Sequence, residues 1–193
     1  MSINPLNHNQ TDRKEDEVMN SGSTQNKNEC VVTKADEWNA LPMNAKSITV
    51  KACDDYQNEV LDLSRFSTLE TLTIGDGCFN YVSKVSVVGL KKLRSVAIGE
   101  KSFQNESNDS ELIVSDCPEL VSLSVGSQSF KGFKGFKVSG LDGLKTITVG
   151  NDCFKECNLV LKDVKSIESL WIGVNSFEKS HHTAIESEHS ASQ

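Results

Sequence analysis

The chain holds 193 residues, 37% hydrophobic and 24% charged, enough apolar material for one or two modest domains and too little for a large multidomain enzyme. Lys and Arg number 20 against 27 Asp and Glu, a formal charge of -7 that repels phosphate and disfavours a nucleic-acid partner. No run of 18 apolar residues occurs, so the sequence encodes no membrane-spanning helix and no membrane partner is expected.

Residues 1–34 are rich in Asn, Gln, Ser, Asp and Glu and lack an apolar run. A disordered tail is expected there, because the segment buries too little apolar area to offset the entropy of ordering it. The same stretch lacks the apolar core of a secretory signal, which gives a cytoplasmic expectation. From about residue 35 to 60 a degenerate unit runs through Trp38, Leu41, Pro42, Ile48 and Val50 and reads as an N-terminal cap. Asp54 and Asp55 fall in its turn, where aspartate is a common turn residue, and are assigned no catalytic role.

Five in-register copies of L-x-x-L-x-I-G-x-x-[SC]-F follow. They run Leu69-Leu72-Ile74-Gly75-Cys78-Phe79, Leu93-Val96-Ile98-Gly99-Ser102-Phe103, Leu120-Leu123-Val125-Gly126-Ser129-Phe130, Leu144-Ile147-Val149-Gly150-Cys153-Phe154 and Ile167-Leu170-Ile172-Gly173-Ser176-Phe177. The phenylalanines step by 24, 27, 24 and 23 residues. Upstream of each copy lies a second apolar set: Leu61-Leu63-Phe66, Val85-Val87-Leu90, Leu112-Val114-Cys117, Phe136-Val138-Leu141 and Leu159-Leu161-Val164. Each unit thus carries two short period-two segments, read as strands, and none shows helical periodicity. A lone unit of about 24 residues cannot bury enough surface to offset its backbone entropy, so the units must stack.

The predicted fold is therefore a mainly β solenoid over residues 35–177, a right-handed coil with parallel strands on two faces and little or no helix. The recurrent glycine is expected to permit either a positive φ or a close backbone approach. The Ser or Cys before each phenylalanine is read as a small packing residue. Residues 178–193 are polar and expected to form a second disordered tail, with His181, His182 and His189 solvated rather than metal-binding. No closing unit is recognised after Phe177, which leaves an apolar C-terminal edge open to pairing.

The six cysteines (Cys30, Cys53, Cys78, Cys117, Cys153, Cys157) contain no C-x-x-C pair and read as buried free thiols. Residues 41–177 contain no histidine, which removes Ser-His and Cys-His pairs from the repeats and argues against an enzyme. No cofactor and no metal are expected. The Lys/Phe/Gly segment 130–136 lacks the spacing of a phosphate loop and reads as a turn, with Phe133 alone left for a ligand. The insertion 105–110 contains two N-x-S sequences. Its Glu106 and Asp109 lack EF-hand spacing and read as solvated.

Outward positions of the second strand are Thr71, Thr73, Ser95, Ala97, Ser122, Ser124, Thr146, Thr148, Ser169 and Trp171. Apart from Ala97, they are the candidate partner-binding residues, with Trp171 an aromatic anchor or a cover for the last coil. An ice-binding array is a remote alternative, because Ala97 and Trp171 interrupt the Ser/Thr pattern.

The repeat resembles a leucine-rich repeat, and its G-x-x-[SC]-F element is similar to that of the BspA-like class. Phe154 to Cys157 supplies an F-x-x-C ending. The resemblance covers about residues 41–177 and departs in having Ser or Cys where the class has Ala, and in lacking an asparagine ladder. That second departure favours a flat coil with strands on both faces over a horseshoe with outer helices. The resemblance implies a non-catalytic protein-interaction or adhesion module with an unknown protein partner. Self-association through the C-terminal edge, as a structural or surface protein, is the alternative.

Overall fold

The structure is a computed structural model that describes residues 28–186. In chain order the elements are β1 (Glu29–Val32), α1 (Ala35–Asn39), β2 (Ser47–Val50), β3 (Val60–Asp62), β4 (Thr71–Ile74), β5 (Lys84–Val88) and β6 (Ser95–Ile98). They continue as β7 (Glu111–Ser115), β8 (Ser122–Val125), β9 (Gly135–Ser139), β10 (Thr146–Val149), β11 (Asn158–Lys162), β12 (Ser169–Ile172) and β13 (Thr183–Glu186).

Period-two burial explains why these segments are strands: Leu72 and Ile74 of β4, or Val85 and Val87 of β5, point inward while their neighbours face out. Successive turns of the coil place like strands side by side. One sheet runs β1-β2-β4-β6-β8-β10-β12 and the other β3-β5-β7-β9-β11-β13. All pairs are parallel, as in Thr71↔Ser95 and Ser95↔Ser122. The result is a β-solenoid of about six turns, as the repeat demands.

Between the sheets the recurrent phenylalanines form one column. Ring centroids of Phe79 and Phe103 lie 5.6 Å apart, Phe103 and Phe130 4.5 Å, Phe130 and Phe154 5.0 Å, and Phe154 and Phe177 5.3 Å. Trp38 closes the column edge-on against Phe79 at 5.3 Å. This packing holds the five phenylalanines at φ of 48° to 59°, a left-handed conformation costly for a bulky side chain and tolerable only where surroundings over-determine it.

The recurrent glycines do not supply that conformation. Their role is close approach: a Cβ on Gly126 would lie 2.5 Å from the carbonyl carbon of Gly99. The Ser/Cys position does more than pack. Ser102 is fully buried, accepts the backbone N–H of Cys78 at 3.1 Å and donates to the carbonyl of Gly75 at 2.9 Å. Ser176 repeats this with Cys153 and Gly150.

The coil reaches further than its repeats suggest. Residues 29–32, expected in the N-terminal tail, form β1 and pair with β2 from Glu29↔Ser47 to Val32↔Val50. Four residues with only Val32 fully inward leave too short a pattern to detect. At the other end β13, expected in the C-terminal tail, pairs with β11. The cap also contains the five-residue helix α1, too short to show a 3.6-residue period. Residues 1–27 and 187–193 of the two expected tails lie outside the described residues.

Candidate functional site

The outer face of the first sheet gathers the residues singled out from the sequence. Ser47, Thr71, Ser95, Ser122, Thr146 and Ser169 form one column across the strands, and Thr49, Thr73, Ala97, Ser124, Thr148 and Trp171 form the next. Stacked coils bring each side chain beside its counterpart at the strand spacing of about 4.8 Å. The Thr71 hydroxyl donates to Ser47 Oγ at 2.9 Å. All these positions are exposed or half-buried and uncharged; on β1 the two columns continue as the exposed Glu29 and Val31, which places one carboxylate at the N-terminal edge of the face.

Ion pairs between coils border it: Lys46–Glu70 at 3.6 Å, Arg94–Glu119 at 3.3 Å and Lys145–Glu168 at 2.9 Å. They are solvent-exposed, so they set local charge balance more than stability.

Trp171 lies on edge strand β12 in register with Thr148 and is 52% exposed. Its outward direction separates it from the core ends Leu170 and Ile172, so it is an exposed aromatic on the strand face rather than a lid on the last coil.

The second sheet's outer face has a shallow depression lined by Asp109, Glu111, Lys134 and Lys137. Its charges are neutralised in pairs: Lys84–Asp109 at 2.8 Å, Lys137–Glu111 at 2.8 Å and Lys134–Glu156 at 3.0 Å. The hydrogen bond from Lys84 draws the Asp109 carboxyl down to about 2, helped by Ser107. Asp109 is thus committed to a lysine rather than simply solvated. Asn105 is likewise engaged: its side-chain amide donates to the Tyr81 carbonyl and its oxygen accepts the Ser107 N–H.

Phe133 is not left for a ligand. It is fully buried and packs edge-on against Phe130 at 4.8 Å, a contact hidden in the sequence because Phe133 lies outside the repeated positions. Asp55 accepts the Ala35 N–H at the start of α1 at 2.9 Å. His181 and His182 are exposed, and the His182 carbonyl accepts the Leu159 N–H; His189 lies outside the described residues.

All six cysteines are free, five of them buried. Burial pushes the Cys53 and Cys157 thiols up to about 12, far from the thiolate needed for nucleophilic work. Among the described residues no group of three His, Cys, Asp or Glu side chains is placed to hold a metal ion, and no helix is long and apolar enough to cross a membrane. Neither protein-family models, nor curated proteins, nor solved structures give a match to this chain.

Proposed function

We propose that the protein is a non-catalytic protein-interaction module of leucine-rich, BspA-like repeats, presenting the Ser/Thr face of the first sheet to a protein partner. The observation that carries this reading is the half-exposed Trp171 at the end of a hydroxyl array that is uncharged from β2 to β12. A rigid aromatic supplies contact area at low entropy cost, and surrounding hydroxyls supply adaptable hydrogen bonds.

Size tempers the affinity. Seven strands of about four residues give a face of about 400 Å², half of the ~800 Å² per partner of a standard interface. The flanking charged borders or the adjoining loops therefore complete the contact.

Capture from a lysate of the source cells, compared between the native chain and Trp171→Ala, tests the reading. Loss of one captured protein with Trp171→Ala, and its retention with Lys137→Ala on the opposite sheet, is the expected result. Equal capture by both variants removes the strand face as the binding surface.

A further inference from the structure

The column of small buried residues that holds Ser102 begins in the cap, and its first two members are Cys53 and Cys78. The Phe79 N–H donates to the Cys53 carbonyl at 3.0 Å, as the Phe103 N–H does to the Cys78 carbonyl one turn later. The two cysteines are therefore stacked on neighbouring coils. The Cys53 N–H faces the Cys78 sulfur, the contact that the Cys78 N–H makes with Ser102 Oγ. Cys53 is 1% exposed and Cys78 0%. Neighbouring coils lie about 4.8 Å apart, inside the Cα separation of about 4.4 to 6.8 Å that a disulfide spans. The remaining cysteines have other residues beside them: Cys30 is in register with Ile48, Cys117 follows Leu90, Cys153 lies between Ser129 and Ser176, and Cys157 follows Phe133.

We propose that Cys53 and Cys78 are a dithiol that closes into a disulfide under oxidising conditions and locks the N-terminal cap to the first repeat. The oxidant is a low-molecular-weight disulfide of the glutathione class. Cys78 Sγ gives up its proton and attacks one sulfur of the oxidant, and the other sulfur leaves as a thiolate that takes up a proton. Cys53 Sγ, deprotonated in turn, attacks the Cys78 sulfur of the mixed disulfide and expels the second small thiol. Two protein thiols and one small disulfide become one protein disulfide and two small thiols.

The bridge falls where the repeat is broken. Asp54 follows Cys53 where Phe79 follows Cys78, so the phenylalanine column has no member from this coil, and Trp38 and Tyr56 pack edge-on against Phe79 instead. Residues 51–59 form neither strand nor helix, and all but Cys53 and Tyr56 are exposed. Opening of this one segment uncovers both thiols while the five repeats stay wound, which makes the exchange slow but accessible. Cys78 is the better first nucleophile, because the Cys53 N–H offsets part of its burial, whereas burial and then Asp55 both oppose a thiolate at Cys53.

Equilibration of the full chain at pH 8 with reduced and oxidised glutathione in subdenaturing urea tests this. Tryptic digestion without reductant is expected to release residues 52–65 joined to residues 66–84, each segment containing one cysteine. The oxidised chain should have a higher urea midpoint than the reduced one, with dithiothreitol restoring the lower value. Amides of residues 51–59 should exchange at least tenfold more slowly once the bridge is closed. Cys53→Ser, which keeps a small hydrogen-bonding side chain in the column, should lose both the joined peptides and the oxidant-dependent gain, whereas Cys30→Ser keeps both. Separate peptides at equilibrium, equal linkage to other cysteines, or a bridge that leaves the midpoint and the exchange unchanged would each overturn the lock.

Discussion

The Ser129 hydroxyl accepts the backbone N–H of Ser102 at 3.0 Å and donates onward to the carbonyl of Gly99 at 2.7 Å. One side chain thus joins two turns of the coil inside the core. The same bonds recur from Ser102 to Cys78 and Gly75, so the buried hydroxyls form a ladder parallel to the phenylalanine column. Where Cys153 replaces serine, its thiol still donates to Gly126 O at 3.2 Å. A weaker donor is accepted at some rungs, but a donor is retained.

Ser102→Ala therefore strands the Cys78 N–H and the Gly75 carbonyl in an apolar interior. The expected cost is about 1 to 3 kcal/mol for a buried group left unsatisfied, read as a lower urea midpoint with an unchanged m-value. Ser102→Cys, which places there the donor found at Cys153, should cost less than Ser102→Ala. Equal losses in the two variants would mean that the position serves packing alone.

The repeat arithmetic made most of the solenoid legible before any coordinates, because inward residues must recur at fixed offsets when turns stack. The hydroxyl ladder was only half visible. Its signal was the restriction to Ser or Cys, two small residues that share a donor, which reads as packing until the facing N–H groups are placed. Strands β1 and β13 were missed because each adds a single turn at an end, where one copy makes no period. The left-handed phenylalanines gave no signal, since aromatic residues do not favour positive φ and only the stacked column holds them there. On the candidate face, alternation revealed which side chains point outward and nothing about what meets them.

Lys101 sits at φ 55° in the column that Gly77 occupies at φ 66° one turn earlier. A non-glycine residue there carries a steric cost between its Cβ and the adjacent carbonyl, and glycine does not. Lys101 is exposed and its N–H bonds Ser127 O at 3.0 Å, which glycine preserves. Lys101→Gly should stabilise the protein by about 0.5 to 1 kcal/mol after its larger unfolded-state entropy is subtracted, measured by chemical denaturation. A loss of stability would show that the lysine stem contributes more packing than its exposure suggests.

The buried thiols make the protein sensitive to alkali. Burial holds Cys53 and Cys157 at about 12, against about 8.5 in an unfolded chain. Because the folded value is raised, stability is intact below about pH 8.5 and declines as pH rises toward 12, while the unfolded chain gains thiolates that the folded one refuses. Urea midpoints should fall progressively above pH 9. At pH 8 a thiol reagent should modify Cys30, the one half-buried cysteine, before the other five. Fast reaction of Cys53 or Cys157 in the folded protein would contradict their enclosure.

Asp109 gives the opposite limb. Its carboxyl is drawn down to about 2, first by the hydrogen bond from Lys84 and then by that from Ser107. A lowered folded value means that the contribution is present above the ordinary aspartate range near 4 and is lost as pH falls through 2. Both partners are solvent-exposed, so the effect on stability is small and salt-screened, and the carboxyl titration itself is the better observable. Carbon-detected NMR should place the Asp109 midpoint near 2 in the native chain. Lys84→Met should move it upward toward the ordinary value, leaving a residual depression from Ser107. An unmoved midpoint would show that Lys84 does not hold Asp109 in solution, and would release the insertion loop from the sheet beneath it.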